Sequence, residues 1–212
     1  QRHPVLVDPP QSRPRDLLAS DASGLFCELG NFHIDPWKPV PTAIITHAHA
    51  DHARPGSALY YCAAPGASIL RKRLGDSINL VPLPYGQRVK LNNVTVSLHP
   101  AGHVLGSAQV RVESADQVWV AAGDYKRASD PSCDPFEVVP CDTFITEATF
   151  ALPIYRWPSP QQIFDEIELW WRTNAEAGRT SVLFCYALGK AQRILAELKA
   201  RPWSADRRVF TH

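Results

Sequence analysis

The chain has 212 residues, of which 45% are hydrophobic and 20% charged, and its 22 basic and 21 acidic side chains leave a formal net charge of +1. That composition fits a globular chain with a sizeable core, and a charge so near zero excludes capture of nucleic acid by bulk electrostatics, so any polyanion must be held locally. No uncharged apolar run approaches the roughly 20 residues that span a bilayer, and the first residues lack the apolar core of a secretory signal, so no membrane association and a cytoplasmic location are expected.

Residues up to about 24 are rich in Pro and Arg and read as an extended lead-in. Beyond them, short runs of β-branched and aromatic residues alternate with turn signals. They predict strands over 25–27, 43–46, 58–62, 89–98, 108–113, 118–122 and 143–146, with one clear helix over 65–74. After Pro158 the pattern changes. Ser159 and Pro160 form an N-cap and first-turn pair ahead of an amphipathic helix through Ile163, Ile167 and Trp170 that stops near Gly178. A buried strand over 181–186, a second helix over 189–200 and a strand over 208–211 follow in βαβ fashion, so a second domain is expected from residue 151.

The five cysteines are odd in number, scattered and never spaced as C-x-x-C, which argues for reduced, mostly buried thiols. There is no methionine, so the chain is expected to lack at least its natural first residue. Local basic candidates for a polyanion are Arg71-Lys72-Arg73, Lys126-Arg127, Lys190 and Arg207-Arg208, each of which also reads as a solvated face.

The densest chemistry lies in Ala43-Ile-Ile-Thr-His-Ala-His-Ala-Asp-His52, where an apolar strand runs into four potential metal ligands within six positions. His47 and His49, two apart, point the same way from extended backbone, and Asp51 and His52 turn towards a neighbouring position once the loop bends. Imidazole nitrogen with carboxylate oxygen suits zinc, manganese or iron better than calcium or magnesium. Taken singly, His103 reads as a turn histidine, Asp124 as a strand-end cap and Asp35 as a turn-forming Asp-Pro.

The His-x-His-x-Asp-His segment resembles the signature of the metallo-β-lactamase superfamily, and later segments repeat the resemblance in order. Ala101-Gly-His-Val-Leu-Gly-Ser107 looks like the third motif, Gly123-Asp-Tyr125 like the fourth, and Asp35 in Phe-His-Ile-Asp-Pro like the first-motif aspartate. Thr146-Glu-Ala-Thr-Phe150 and Cys185-Tyr-Ala-Leu-Gly-Lys-Ala-Gln-Arg193 resemble segments of the β-CASP branch, which cuts nucleic acids. Phe-His-Ile-Asp-Pro-Trp, Gly-Asp-Tyr-Lys and Leu-Pro-Ile-Tyr-Arg-Trp are shared with bacterial ligase-associated DNA exonucleases, a resemblance that covers nearly all of residues 24–200.

The resemblance implies an α/β fold, an αββα metallo-β-lactamase sandwich over residues 1–150 followed over 151–212 by the beginning of a β-CASP cap, truncated relative to the family. It implies two divalent metal ions, zinc or manganese, on His47, His49, Asp51, His52, His103 and Asp124, with Asp124 bridging. Asp51, Asp124 and Glu147 are its catalytic carboxylates, Glu147 and Asp35 acting by orienting ligands. Gly189, Lys190 and Ser107 are candidate phosphate contacts, the first two because a helix N-terminus favours an anion.

The implied activity is hydrolysis of phosphodiesters, with DNA favoured over RNA, an exonuclease role in DNA repair, and a DNA ligase and a helicase as functional associates. An RNA 3′-end-processing nuclease would share every ligand, and a non-catalytic nucleic-acid scaffold is the alternative of another class. The remaining family ligands and the leaving-group acid are expected beyond residue 212. His212 is expected to lie apart from the ligand set, since one or two βα units are too few to bring it back.

Overall fold

The structure, a computed structural model, describes residues 16–211. Six strands, β1 (Ala19–Ser20), β2 (Leu25–Cys27), β3 (Phe32–Ile34), β4 (Thr42–Ile44), β5 (Leu59–Ala63) and β6 (Leu80–Leu83), form one sheet in chain order. It is antiparallel up to β3 and parallel from there on. Five more, β7 (Val89–Leu91), β8 (Val94–Pro100), β9 (Ala108–Glu113), β10 (Val118–Ala121) and β11 (Thr143–Ile145), form a second sheet in the order β11-β10-β9-β8-β7. Helix α1 (Ala67–Leu74) connects the parallel strands β5 and β6, while α2 (Pro160–Glu176) and α3 (Lys190–Lys199) follow the second sheet.

Two cores hold these layers. Cys27, Phe32, Ile34, Ile44, Ala63 and Leu83 of the first sheet close on Val94, Val96, Leu98, Val110 and Val112 of the second. On the other face of the first sheet, Ala43, Ile45, Tyr60 and Cys62 pack with Leu70 of α1. Successive side chains of a strand face opposite ways, so the unbroken apolar run Ala43-Ile44-Ile45 feeds both cores, as a strand covered on both faces must.

The expected segment 89–98 is two strands, because Asn92 takes a left-handed φ of 50° and turns the chain. The ladder then pairs Leu91 with Val94 across two residues, and asparagine is among the few residues that adopt this conformation readily. The strands β1, β3 and β6 are additional to the expected ones. Both later helices form as expected, and the Ser159 hydroxyl accepts from the Gln162 N–H at the start of α2.

The segments 181–186 and 208–211 are not strands. Among the described residues no strand lies beside them, and an extended segment with nothing to pair its N–H and C=O groups gains nothing from strand geometry. Among the described residues, no helix is long and apolar enough to cross a membrane.

Candidate metal centre

The β4 strand delivers the site. Past Ile44 the chain stays buried through Ile45, Thr46 and His47, and Thr46 is held from both sheets, its carbonyl accepting from Ala108 N–H at 2.8 Å. The backbone turns after His49, whose carbonyl accepts from the N–H groups of His52 and Ala53, and this swings Asp51 and His52 towards the histidines before them. From the second sheet, the turn after β8 brings His103 and the end of β10 brings Asp124. Gly123 sits against Thr46 at a φ of 57°, where a β-carbon would come within 2.7 Å of the Thr46 side chain, so only glycine lets Asp124 approach so closely.

Four groups converge on one point. His47 Nε2 lies 2.9 Å from His49 Nδ1, His103 Nε2 lies 3.3 Å from His49 Nδ1, and Asp124 Oδ2 lies 3.5 Å from His103 Nε2 and 3.7 Å from His47 Nε2. Atoms at about 2.0–2.1 Å from a central ion in tetrahedral arrangement stand about 3.3–3.4 Å apart, so the four donors already have the spacing of a coordination shell. The other oxygen of Asp124 faces a second point, with Oδ1 at 3.3 Å from His52 Nε2, which in turn lies 3.6 Å from Asp51 Oδ2. One carboxylate therefore looks into both positions.

The outer nitrogens of the rings decide which nitrogen faces inwards. Asp35, itself in the left-handed region at a φ of 45°, accepts from Thr46 N–H at 2.7 Å and from the Thr46 hydroxyl at 2.5 Å, and its Oδ2 accepts from His52 Nδ1 at 2.7 Å. The Thr46 oxygen, having given its proton to Asp35, accepts from His47 Nδ1 at 3.1 Å. His49 Nε2 donates to the Leu188 carbonyl at 3.2 Å. These bonds leave lone pairs on His47 Nε2 and His49 Nδ1, facing each other at 2.9 Å. Two lone pairs so close repel unless a cation lies between them, and that is the fit of this site to a divalent metal.

The electrostatics agree. Burial, reinforced by the neighbouring His52, pushes the His47 imidazole far below its ordinary value of 6.5. Burial likewise lowers His103, against the pull of Asp124 and Glu147. Both rings are therefore neutral, as ligands must be. His52 goes the other way: burial alone would lower it, but hydrogen bonds to Asp124 and Asp35 raise it to about 10. These bonds favour the imidazolium form of His52 where no ion is bound. Asp124 is held well below the ordinary carboxylate range, first by the His52 hydrogen bond.

The six ligand candidates and Asp35 thus lie together. Glu147 is exposed, its carboxylate accepting from the Thr149 hydroxyl, and its charge reaches His103. Lys190 is exposed at the start of α3 with its ammonium 5.7 Å from the centre of the Tyr186 ring. Two N–H groups of that helix end are already engaged, Gly189 by the Gln192 side chain at 2.6 Å and Ala191 by the Tyr186 carbonyl at 3.1 Å.

Ser107 departs from the expected phosphate contact. It is 1% exposed, and its oxygen accepts from the N–H groups of His103 and Val104, so it shapes the turn that carries His103. His33 pairs with Asp21 and His99 with Glu137, each apart from the cluster. His3 and His212 lie outside the described residues. Of the basic candidates, Lys126 pairs with Asp130, and Arg207 covers the Trp203 ring at 3.9 Å. Thr46 and the Leu188 carbonyl were not singled out from sequence. The Thr directly before the first histidine was the available signal for one, and a backbone carbonyl leaves none for the other.

No protein-family model matches the sequence. The chain is 32% identical over 178 residues to a probable DNA ligase of Opitutus terrae, a match that covers 83% of this chain and 17% of that protein. It is 25% identical over 187 residues to an RNase J-like protein of Methanocaldococcus jannaschii, covering 74% of this chain and 43% of the relative. It is 32% identical over 113 residues to the endoribonuclease YSH1 of Eremothecium gossypii, covering 52% and 14% respectively. The chain thus spans less than half the length of each of these relatives. The histidine and aspartate motifs stand in order and their donors converge in space, and over most of its length the chain is similar to proteins of this kind, in keeping with its resemblance to the β-CASP branch of the metallo-β-lactamase superfamily.

Proposed function

We propose that the protein hydrolyses phosphodiester bonds of nucleic acid with two divalent ions, zinc or manganese, held by His47, His49, His103 and Asp124 at one position and by Asp51, His52 and Asp124 at the other. The observation that carries this reading is the Asp124 carboxylate, with one oxygen turned to each set of donors. On this reading the two sheets are the αββα sandwich, and residues from 151 onwards begin the β-CASP cap.

Two ions bound there would supply a water of lowered pKa and neutralise charge on the phosphoryl oxygens. The chain's own residues do the rest. Asp35 and Thr46 hold His52 and His47 in the ligating tautomer. Glu147 biases His103 electrostatically. Lys190, at the mouth of α3, takes a phosphate away from the reacting one and so fixes register.

DNA is the favoured substrate and exonucleolytic repair the favoured role, on the strength of the ligase-named relative and the shared ligase-associated motifs. The RNase and endoribonuclease names among the relatives favour RNA as the second reading. A time course on end-labelled single-stranded DNA and RNA of equal sequence, with Mn²⁺ or Zn²⁺, separates them and reads polarity. Metal-dependent shortening of the DNA alone is the expected result, and no cleavage of either strand would remove the reading.

A further inference from the structure

We infer that residues 186–189 are a positioning element of the metal centre, in which the Leu188 carbonyl fixes the tautomer of His49 and Gly189 is what allows it to sit there; this rests on the metal-centre reading. A carbonyl oxygen only accepts, so its 3.2 Å contact with His49 Nε2 requires the proton on that nitrogen. The neutral ring then presents its Nδ1 lone pair to the point shared by His47 Nε2 and His103 Nε2. The other tautomer would aim an N–H into the coordination shell and a lone pair at the carbonyl, and it is unfavourable at both ends. Thus a backbone group 139 positions along the chain does for His49 what Asp35 does for His52.

Three further contacts seat this segment. The Leu188 side chain packs on the core shared by the first sheet and α1. Gly189, at a φ of 89°, lies so close to Val104 that a β-carbon would come within 2.4 Å of Val104 Cγ1, and Val104 adjoins the ligand His103. Gln192 closes the loop, accepting from Gly189 N–H at 2.6 Å and donating to the Ala187 carbonyl at 2.9 Å. Any side chain at 189 therefore pushes the loop off Val104 and carries the Leu188 carbonyl away from His49. The loop and the two histidine motifs form one mechanical unit.

The test compares the wild-type chain with Gly189→Ala and with Gly189→Ala combined with Val104→Ala. Zn²⁺ affinity is measured by competition with a chromophoric chelator, and the tautomer of His49 is read from imidazole ¹⁵N shifts without metal. The wild type should show His49 protonated on Nε2. Gly189→Ala should lose on the order of 10–100-fold in Zn²⁺ affinity, the range for removing an outer partner of a metal-bound histidine. The double variant should regain part of it, since the contact is relieved while the backbone strain stays. Unchanged affinity in a folded Gly189→Ala, or a wild-type His49 protonated on Nδ1, overturns the inference.

Should Gly189→Ala fail to fold, Gln192→Ala loosens the same loop from an exposed position and should give a smaller loss; no loss there overturns it equally. A wild type that binds no Zn²⁺ sinks the metal-centre reading instead, and the metal-free tautomer tells the two failures apart.

Discussion

In residues 16–145 apolar side chains close on one another across two sheets, whereas in residues 146–211 most of them face solvent. Leu98 in β8 is fully buried, while Phe184 is 95% exposed, although both lie in apolar runs of similar composition. Among the described residues past 146, only Phe164, Leu198 and Ser204 are buried; α2 is joined to α3 by Arg193 over the Phe164 ring, and to the turn after α3 by the edge-on pair Trp171 and Trp203 and the bonds of Arg201 to Asp165 and Glu168. Hydrophobic content therefore does not itself make a core. Burial follows where strands find neighbours on both sides, and the candidate metal ligands sit past the ends of strands that have them. The later region meets this order at residues 188–189, beside the candidate metal centre, and at Arg193, which pairs with the buried Asp130.

The sharpest way to break the comparison is at the carboxylate on which the ordered region converges. On the two-ion reading proposed above, Asp124→Ala removes a donor from both metal positions at once, and the loss of charge stabilisation of several kcal/mol should lower hydrolysis by on the order of 1000-fold or more. Metal content should fall while circular dichroism stays near wild type, since Asp124 is a strand-end group outside both cores. Near-normal turnover in this variant would remove Asp124 from the site.

The second prediction sets the two regions against each other directly. Leu98→Ala opens a cavity between the sheets and should cost about 2–5 kcal/mol, whereas Phe184→Ala should stay within about 0.5 kcal/mol. Urea unfolding of the two variants measures both, and equal losses would mean that the Phe184 side chain is packed in solution.

A third, of intermediate size, concerns pH in the metal-free protein. The His52 imidazole is raised from 6.5 to about 10, so its contribution to stability is fully present below pH 6.5 and is lost as pH rises through about 10. His47 and His103 are lowered, so their burial as neutral rings favours the fold above pH 6.5 and opposes it below. Melting temperature should therefore peak near neutrality and decline on both sides, and His52→Gln should shrink the alkaline decline most, easing the acid side less because His52 also helps to lower His47. A melting curve that is level from pH 7 to 10 in the wild type would contradict the His52 assignment.

The smallest effect is expected at the exposed edge of the later region. On the proposed reading, in which Lys190 holds a phosphate other than the reacting one, Lys190→Ala should raise KM several-fold with kcat little changed, in line with a charged hydrogen bond of about 1.5–3 kcal/mol weakened by solvent. A lowered kcat at constant KM would place Lys190 in the chemistry instead.

Much of the ordered region was legible in advance, because its signals are local. The spacing of His47, His49, Asp51 and His52 on a strand end carries its own geometry, and Ser159-Pro160 announces a helix start. The one-strand reading of 89–98 failed at Asn92, where a single left-handed residue turns the chain without interrupting the apolar pattern. The strand expected over 181–186 failed for the opposite reason: its residues favour extension, but extension is stable only beside another strand.

The sequence by itself therefore determined which side chains could bind metal and on which short segments they ride, since ligand chemistry and strand periodicity are properties of a few neighbouring residues. Only the tertiary structure decided the roles of groups with no signature of their own. It turned Ser107 inwards to shape the His103 turn and threaded Thr46 between Asp35 and His47. It also brought the Leu188 carbonyl to His49. Each depends on distances between residues far apart in the chain, and those are set by the packing of the two sheets and the seating of residues 188–189 rather than by any local preference.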